Sequence, residues 1–303
     1  MRDEHTDSPV VVRAGLIGAG IGPSLSPALH EREARELGVD CHYSLVDLDV
    51  LGRPADDVGD LLDEARRAGF AGVNITHPCK RLVLDHVAEL SDDAAAIGAV
   101  NTVVFRDGRS IGHNTDWSGF RSGLLDGLPG ASLERVALVG AGGAGAAAAH
   151  ALLTLGAGTV TVLDVDAAQA DRLATALVAR FGPGRAVAGA AGEGDVVAAA
   201  LSAAGGLVHA TPVGMTGHPG LPVHAELLRA DLWVAEIVYR PLETDLLRAA
   251  RRAGCPTLDG GRMAVHQAAE ALRLFTGRAP DPERMLRHLR RLIGAGPEER
   301  HVA

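Results

Sequence analysis

The stretch "RVALVGAGGAGAAAAHALLTLGAGTVTVLDVD" (Arg135–Asp166) decides the fold class. It begins with an apolar run, turns through glycines and continues as an alanine- and leucine-rich segment. It then returns to a second apolar run that ends in an acid. Strand, turn, helix and strand within about 30 residues make a βαβ unit. Gly140, Gly142 and Gly145 stand at GxGxxG spacing, with Ala141, Gly143 and Ala144 filling the turn. Gly140 permits the tight turn, Gly142 lets the backbone approach a pyrophosphate, and Gly145 lets the helix pack on the sheet. The helix N-terminus then faces the phosphates. An acid about 20 residues further on should bind the adenosine ribose, and Asp164 stands there. The stretch therefore predicts a dinucleotide site. Asp164 and Asp166 would repel a 2′-phosphate, and the next arginine is Arg172. NAD is expected as the preferred cofactor, with NADP as the alternative.

Outward from this unit, strands and helices alternate along the chain. Upstream, "VVRAGLIG" reads as a buried strand, "PALHEREARELG" as a helix closed by Gly38, and "CHYSLVDL" as a second strand. The helix "ADDVGDLLDEARRAG" and the strand "FAGVNIT" follow. A helix is expected over "KRLVLDHVAEL", starting at Lys80, and a hairpin turning at Asp107-Gly108. "WSGFRSGLLDGL" reads as the helix that opens the second unit. Downstream come "GLVHATP", "LWVAEIVY", "ETDLLRAARRAG" and the amphipathic helix "MAVHQAAEALRLFTG". The expected fold is α/β with two domains. One is a doubly wound Rossmann domain over residues 115–258. The other is an α/β substrate domain with a mostly parallel sheet, over 10–114 plus 259–303. Residues 1–9 and about 296–303 read as frayed tails.

Bulk composition agrees. The chain has 303 residues, 47% hydrophobic and 22% charged, enough for two cores. Aromatics are 3%, so those cores must be built from Ala, Val and Leu. The net charge is −9 with acids and arginines interspersed, which argues against nucleic-acid binding. The arginine-rich "RMLRHLRRL" reads as a solvated helix face. The three cysteines show no CxxC and fit a reducing cytoplasm. No signal peptide or membrane-length apolar run is evident. The histidines show no HExxH or Cys/His ligand spacing, so no metal is expected.

Two further features call for chemistry. Lys80 is the only lysine among the 29 Lys and Arg residues. An arginine is never deprotonated in proteins, whereas a lysine can lose its proton when its pKa is lowered. The second feature is the upstream loop "GLIGAGIGPS", where Gly18 and Gly20 imitate the fingerprint. Pro23 takes the place of the third glycine, and no acid is seen to end a following strand at the right distance. This loop reads as a ligand loop of another kind, whose Ser24 and Ser26 suit a carboxylate or polyol. Both serines could equally cap the following helix.

These residues together resemble the shikimate/quinate dehydrogenase family. The resemblance covers about Ala14 to Leu292. Its motifs, in order, are "SLSPALH" (Ser24–His30), "GVNITHPCK" (Gly72–Lys80), "GAVNTVV" (Gly98–Val104) and "GHNTDWSGF" (Gly112–Phe120). The glycine turn follows, then "ATPVGM" (Ala210–Met215), "IVYRPLETDLL" (Ile237–Leu247) and "DGGRMAVHQAAEALRLFTG" (Asp259–Gly277). The wording is nearest the NAD-using quinate/shikimate branch. The resemblance implies reversible NAD(P)-linked oxidation of a ring hydroxyl on a cyclic carboxylic acid, with Lys80 and Asp116 as the catalytic pair. It implies that Ser24 and Ser26, helped by Tyr239, bind the substrate carboxylate. Thr76, Asn101, Asp116 and Gln267 would bind ring hydroxyls. Met215, Ile237 and Gly260 would contact the nicotinamide, with Thr211 in the same cofactor-side motif as Met215. Alone, Asn101 and Thr76 are equally good turn residues, Asp116 a helix cap and Met215 core filler.

Departures from the family pattern are Pro23 for histidine, Glu31 for asparagine, His209 for asparagine, Glu236 for aspartate and Arg262 for glycine. Pro23 and Arg262 bear on the substrate mouth and the nicotinamide loop; His209 is read as leaving NAD binding intact. Shikimate and quinate both remain open as substrates, Ser26 leaning toward the first. An aminoshikimate or aminoquinate dehydrogenase is a second reading, and a non-catalytic ligand-binding regulator a third. The expected partner is a small molecule and the expected state a monomer or homodimer.

Overall fold

The computed structural model describes residues 10–192 and 194–294; the tails expected to fray lie outside them. The chain divides into two compact units. One comprises the residues up to Thr115 with Ala268–His288, and the other Asp116–Gln267 with the chain from Leu289. Residues 259–267 thus cluster with the second unit rather than the first.

In the first unit, β1 (Val10–Gly18) leads to α1 (Ser26–Glu36) and β2 (Val39–Asp47). Next come α2 (Leu48–Leu51), α3 (Val58–Arg67), β3 (Gly72–Ile75), β4 (Glu89–Leu90) and α4 (Asp92–Ile97). The hairpin β5 (Thr102–Arg106) and β6 (Arg109–His113) turns at Asp107-Gly108 as expected. The sheet order is β2-β1-β3-β5-β6-β4. β1 pairs in parallel with β2 and β3, and β4 with β6, while β5 runs antiparallel to both its neighbours. The sheet is covered on both faces because successive side chains point opposite ways. Ile17, Val73 and Ile75 pack with Leu61 and Leu62 of α3. Ala14 and Leu16 pack with Tyr43, Ala271, Leu272 and Phe275. Val58, Leu61, Leu62 and Ala65 recur at helical spacing, which is why α3 lays that stripe on the sheet.

One expected helix does not form. After His77 the chain makes turns, a 3-10 segment over Leu82–His86, and then β4. The Lys80 carbonyl accepts the Val100 N–H at 2.8 Å. This non-local bond occupies the acceptor that an α-helix would need, so tertiary pairing overrides the local pattern.

The second unit opens with α5 (Thr115–Gly127), whose first residue is the last of the first unit. It continues through β7 (Arg135–Val139), α6 (Gly143–Thr154), β8 (Thr159–Asp164), α7 (Ala167–Phe181), β9 (Ala186–Ala190) and α8 (Gly194–Ala203). Then follow β10 (Gly206–His209), β11 (Trp233–Glu236), α9 (Asp245–Arg252) and β12 (Thr257–Leu258). The helices α10 (Gly260–Thr276) and α11 (Pro282–Gly294) complete the chain and supply residues to both units. The sheet, in order β12-β11-β10-β7-β8-β9, is wholly parallel. The strand order reverses beside β7, the switch point at which such sheets bind ligands. In α6 every residue from Gly145 to Leu153 is buried. Its alanines let the helix approach the sheet closely, which is how a core so poor in aromatics closes.

On α11 Arg287, Arg290 and Arg291 face outward while Met285, Leu286, Leu289 and Leu292 are buried. Buried Glu33 of α1 ties the start of this helix. Its carboxylate accepts from Arg284 Nε at 2.8 Å and Nη2 at 2.6 Å, and from the Asp281 amide at 2.7 Å. Among the described residues no helix is long and apolar enough to cross a membrane.

Candidate active site

In the first unit Ser24, Ser26 and Asn101, three of the residues expected to bind substrate, lie along a series of polar side chains, and Thr76 does not join it. Ser24 Oγ donates to Ser26 Oγ at 3.1 Å and accepts the Ser26 amide at 3.2 Å. The residue at the cap of α1 is Leu25, which makes no side-chain cap bond. The Ser26 side chain lies close to the Tyr43 hydroxyl. Tyr43 Oη donates to Asn74 Oδ1 at 2.7 Å, and Asn74 Nδ2 donates to Thr102 Oγ1 at 2.9 Å. Thr102 bonds Asn101, whose Oδ1 accepts the Thr115 amide at 2.6 Å at the start of α5. Burial pushes the Tyr43 hydroxyl pKa up, the nearby Ser26 side chain opposing it. Tyr43 therefore stays protonated and acts as the donor. Its ring stacks on His30 at 4.5 Å between centroids. His30 is buried, and its Nδ1 lies 2.8 Å from the Ser26 carbonyl. Burial lowers its pKa to about 4 against that backbone bond.

Thr76 lies just past β3, half-buried, with its Cγ2 so near Gly18 that a Cβ there would stand 2.3 Å from it. Lys80 is half-buried in the turn that follows. The upstream glycine loop needs a correction: an acid does end the next strand. Asp47, last in β2, accepts the amides of Gly20 at 3.0 Å, Ile21 at 2.8 Å, Gly22 at 3.1 Å and Asp49 at 3.1 Å. Burial raises the Asp47 pKa, but these donors outweigh it and hold the carboxyl below its ordinary value.

In the second unit Asp116 is buried within the first turn of α5. One turn on, Gly119 leaves no room for a side chain, since a Cβ would stand 2.7 Å from the Gln267 backbone N. That close approach sets Gln267 of α10 against the helix that carries Asp116. The glycine turn behaves as its spacing implies. Gly140 has φ +106°, and a Cβ there would meet the Ala210 carbonyl at 2.6 Å. A Cβ on Gly145 would meet the Gly140 carbonyl at 1.9 Å. Gly142 and Gly143 differ: a Cβ on either would meet no protein atom within 4 Å. The fold itself does not require glycine there, but a diphosphate lying against the backbone would. The first amides of α6 have no intrahelical partner, which suits an anion. Half-buried Asp164 closes on this turn, its Oδ2 accepting the Ala141 amide at 2.7 Å. Asp166 caps α7 and pairs with Arg172 at 3.5 Å. These residues fit a dinucleotide.

On the other side of β7, Gly260 packs on the loop after β11, where a Cβ would meet the Ile237 carbonyl at 2.4 Å. Thr211 and Met215 lie in the loop after β10, Met215 exposed, and Tyr239 is half-buried in the loop after β11. The departure at Arg262 has a local explanation: its guanidinium pairs with Asp126 of α5.

Sequence reasoning missed Tyr43, Asn74, Thr102, Thr115 and Asp47. Two signals were available. Tyr43 is one of only two tyrosines in the chain, and Asn74 is a lone amide between Val73 and Ile75 in a fully buried strand.

Comparison with known proteins agrees with this geometry. The family model "Shikimate dehydrogenase substrate binding domain" matches residues 16–103, and "Shikimate 5'-dehydrogenase C-terminal domain" matches 261–290. A shikimate dehydrogenase (NADP(+)) of Streptomyces avermitilis is 61% identical, over 92% of this chain and 95% of that protein. A quinate/shikimate dehydrogenase (NAD(+)) of Corynebacterium efficiens is 48% identical, over 89% and 95%. The solved quinate dehydrogenase from Corynebacterium glutamicum in complex with NAD superposes with TM-score 0.87 at 45% identity, covering 93% of this chain and 99% of that one. The chain is thus an NAD(P)-dependent oxidoreductase with a doubly wound dinucleotide-binding unit. Within that class it belongs to the shikimate/quinate dehydrogenase family.

Proposed function

We propose that the protein reversibly oxidises the ring C3 hydroxyl of shikimate to 3-dehydroshikimate, and that of quinate to 3-dehydroquinate, with NAD preferred over NADP. The observation that carries this reading is the buried chain Tyr43–Asn74–Thr102–Asn101, with half-buried Ser26 beside the Tyr43 hydroxyl. Hydroxyls and amides without a net charge, next to a serine pair, suit a polyhydroxylated carboxylic acid. Ser24 and Ser26, with Tyr239, hold its carboxylate. Thr76, Asn101 and Gln267 hold its hydroxyls.

A nicotinamide dinucleotide held at the Gly140–Gly145 turn would supply the hydride acceptor for the carbinol carbon. As the C–H pair leaves, the hydroxyl proton must pass to a base. Lys80 and Asp116 are that proton-transfer pair; an ammonium is a proton donor that chemistry can use, which a guanidinium is not. NAD preference rests on two carboxylates at the end of β8, Asp164 on the turn amide and Asp166 already engaged with Arg172. No free guanidinium remains on that segment for a 2′-phosphate.

The test is initial-rate formation of NADH and NADPH with shikimate and quinate, for wild type and Lys80→Ala. Turnover with NAD, and a Lys80→Ala variant that binds substrate but loses at least a thousandfold in kcat, support the reading. Wild type that binds NAD but oxidises neither acid would remove it, as would a lower KM for NADP for the cofactor part.

A further inference from the structure

Beneath the loops on the cofactor side lies a charged side-chain chain that the mechanism above does not use. His209 and Glu236 end the neighbouring parallel strands β10 and β11 and stand directly opposite in the register. Both side chains are wholly inaccessible to solvent. His209 Nδ1 lies 2.8 Å from Glu236 Oε1. That same oxygen accepts the Val238 amide at 3.0 Å, while Oε2 accepts the Thr244 hydroxyl at 3.0 Å. A carboxylate offers only acceptors, so His209 Nδ1 must be the donor. The ring's other nitrogen, Nε2, meets Thr211 Oγ1 at 2.5 Å.

One ion-containing chain, Thr211–His209–Glu236–Thr244, therefore pins three segments. It fixes Thr211 in the loop after β10, Val238 between Ile237 and Tyr239, and the cap of α9. The loops are tied a second time where the Thr216 amide donates to the Arg240 carbonyl at 3.0 Å. Gly260 abuts the carbonyls of both Ile237 and Val238. A carboxylate without water has no alternative partners, so removing one donor moves the others rather than being repaired by solvent.

We propose that His209 and Glu236 are positioning residues for hydride transfer: they touch no reacting atom but set Thr211, Ile237 and Met215 where the nicotinamide binds. This rests on the reading above that Ile237 and Met215 contact that ring and that Thr211 belongs to the same cofactor-side motif. Each of the two supplies the other's partner.

The test compares His209→Asn, Glu236→Gln and the double variant with wild type. NADH affinity is read by fluorescence titration, folding by thermal melts, and KM for each substrate by initial rates. Each single variant should weaken NADH binding and raise the NAD KM about tenfold, and leave the shikimate KM within twofold. The double should be no worse than the poorer single, because one connection is being broken. Singles that melt lower yet bind NADH within twofold of wild type would overturn the proposal, as would effects that multiply in the double. If either single fails to fold, Thr244→Val and Thr244→Ser decide the same question: Ser, which keeps the hydroxyl, should retain NADH affinity, and Val should lose it. Equal affinity in the two would refute the proposal. NADH titration does not depend on the oxidised acid. A wild type that binds NADH but oxidises neither acid would sink the substrate assignment alone, while a wild type that does not bind NADH would sink both.

Discussion

Replacing Asp164 with asparagine isolates the charge that is proposed to select the cofactor. The side chain keeps its shape, and its amide oxygen can still accept the Ala141 N–H that the carboxylate takes at 2.7 Å. The amide NH2 then faces the Asp166 N–H, an exposed contact at 2.9 Å where water can substitute. Two energies change in opposite directions for the two cofactors. A hydrogen bond from ribose to a charged acceptor contributes about 1.5–3 kcal/mol, and half-buried Asp164 belongs near the lower end, about tenfold in NAD affinity. A carboxylate about 5 Å from a phosphate charge costs ~1 kcal/mol in water-like surroundings and ~3 kcal/mol at an effective dielectric of 20, so its removal favours NADP by about tenfold or more. The ratio of kcat/KM for NAD over NADP should therefore fall about a hundredfold, with most of the change in KM. The assay is initial-rate kinetics at saturating shikimate with each cofactor, alongside a thermal melt. A ratio that moves less than threefold in a variant that melts like wild type would show that Asp164 does not read the ribose.

The glycine turn gives a paired prediction. Gly145→Ala places a methyl 1.9 Å from a carbonyl and should cost about 3 kcal/mol or more of stability, seen as a lower urea midpoint. Gly142→Ala meets no protein atom and should melt like wild type while losing NADH affinity in a titration. Tyr43→Phe leaves the Asn74 amide oxygen without its donor, a cost of about 1–3 kcal/mol in urea melts. Its shikimate KM should rise several-fold with the NAD KM unchanged. His30 supplies a pH signature. Its folded pKa of about 4 lies below its ordinary 6.5, so between these values the unfolded chain binds more protons and stability rises with pH. Stability should be full above pH 6.5 and fall by about 3 kcal/mol on acidification to pH 4. His30→Phe, compared by urea melts at pH 7 and pH 4.5, should lose correspondingly less than wild type; equal losses would show that burial of this ring is not what titrates.

How much of this was legible in the sequence depended on whether the deciding interaction was local. The glycine turn, its two strands and the hairpin at Asp107-Gly108 were legible because steric demands at single positions set them. So was α3, through the stripe from Val58 to Ala65. The helix expected from Lys80 was not, because its pattern competes with a bond from Val100, twenty residues away in the chain, that takes the Lys80 carbonyl. The candidate site divides the same way. Ser24, Ser26 and Asn101 were named as ligand-facing groups from their motifs. Tyr43, Asn74 and Thr102, which link them, come from three different strands, and no spacing in the sequence brings them together. His209 and Glu236 were visible one at a time as departures, but their pairing follows only from strand register.

The two glycine loops show why a motif needs its hydrogen bonds counted before it is given a ligand. Both follow a first strand, both precede a helix, and in both an acid at the end of the next strand folds back on the loop. In the first, Asp47 takes the amides of Gly20, Ile21 and Gly22, Ala19 donates to the His77 carbonyl, Pro23 has no N–H, and Ser24 donates to the Ile21 carbonyl. Every backbone donor from Ala19 to Ser24 is thus committed, and a phosphate would find none. What the loop still presents is hydroxyls, on Ser24 and Ser26. In the second, Asp164 takes one amide of the turn, that of Ala141, and Gly140 donates to the Leu163 carbonyl. The amides that open α6 remain beyond the reach of any helical carbonyl. A single acid therefore separates the two uses of one backbone shape. Where it saturates the amides, the loop is left to bind through side chains. Where it takes one amide of the turn, the loop keeps a place for a diphosphate. Removing the carboxylate at position 47 should accordingly disturb the shikimate KM and not the NAD KM, the reverse of the result expected at position 164, and Asp47→Asn kinetics with both substrates varied would decide it.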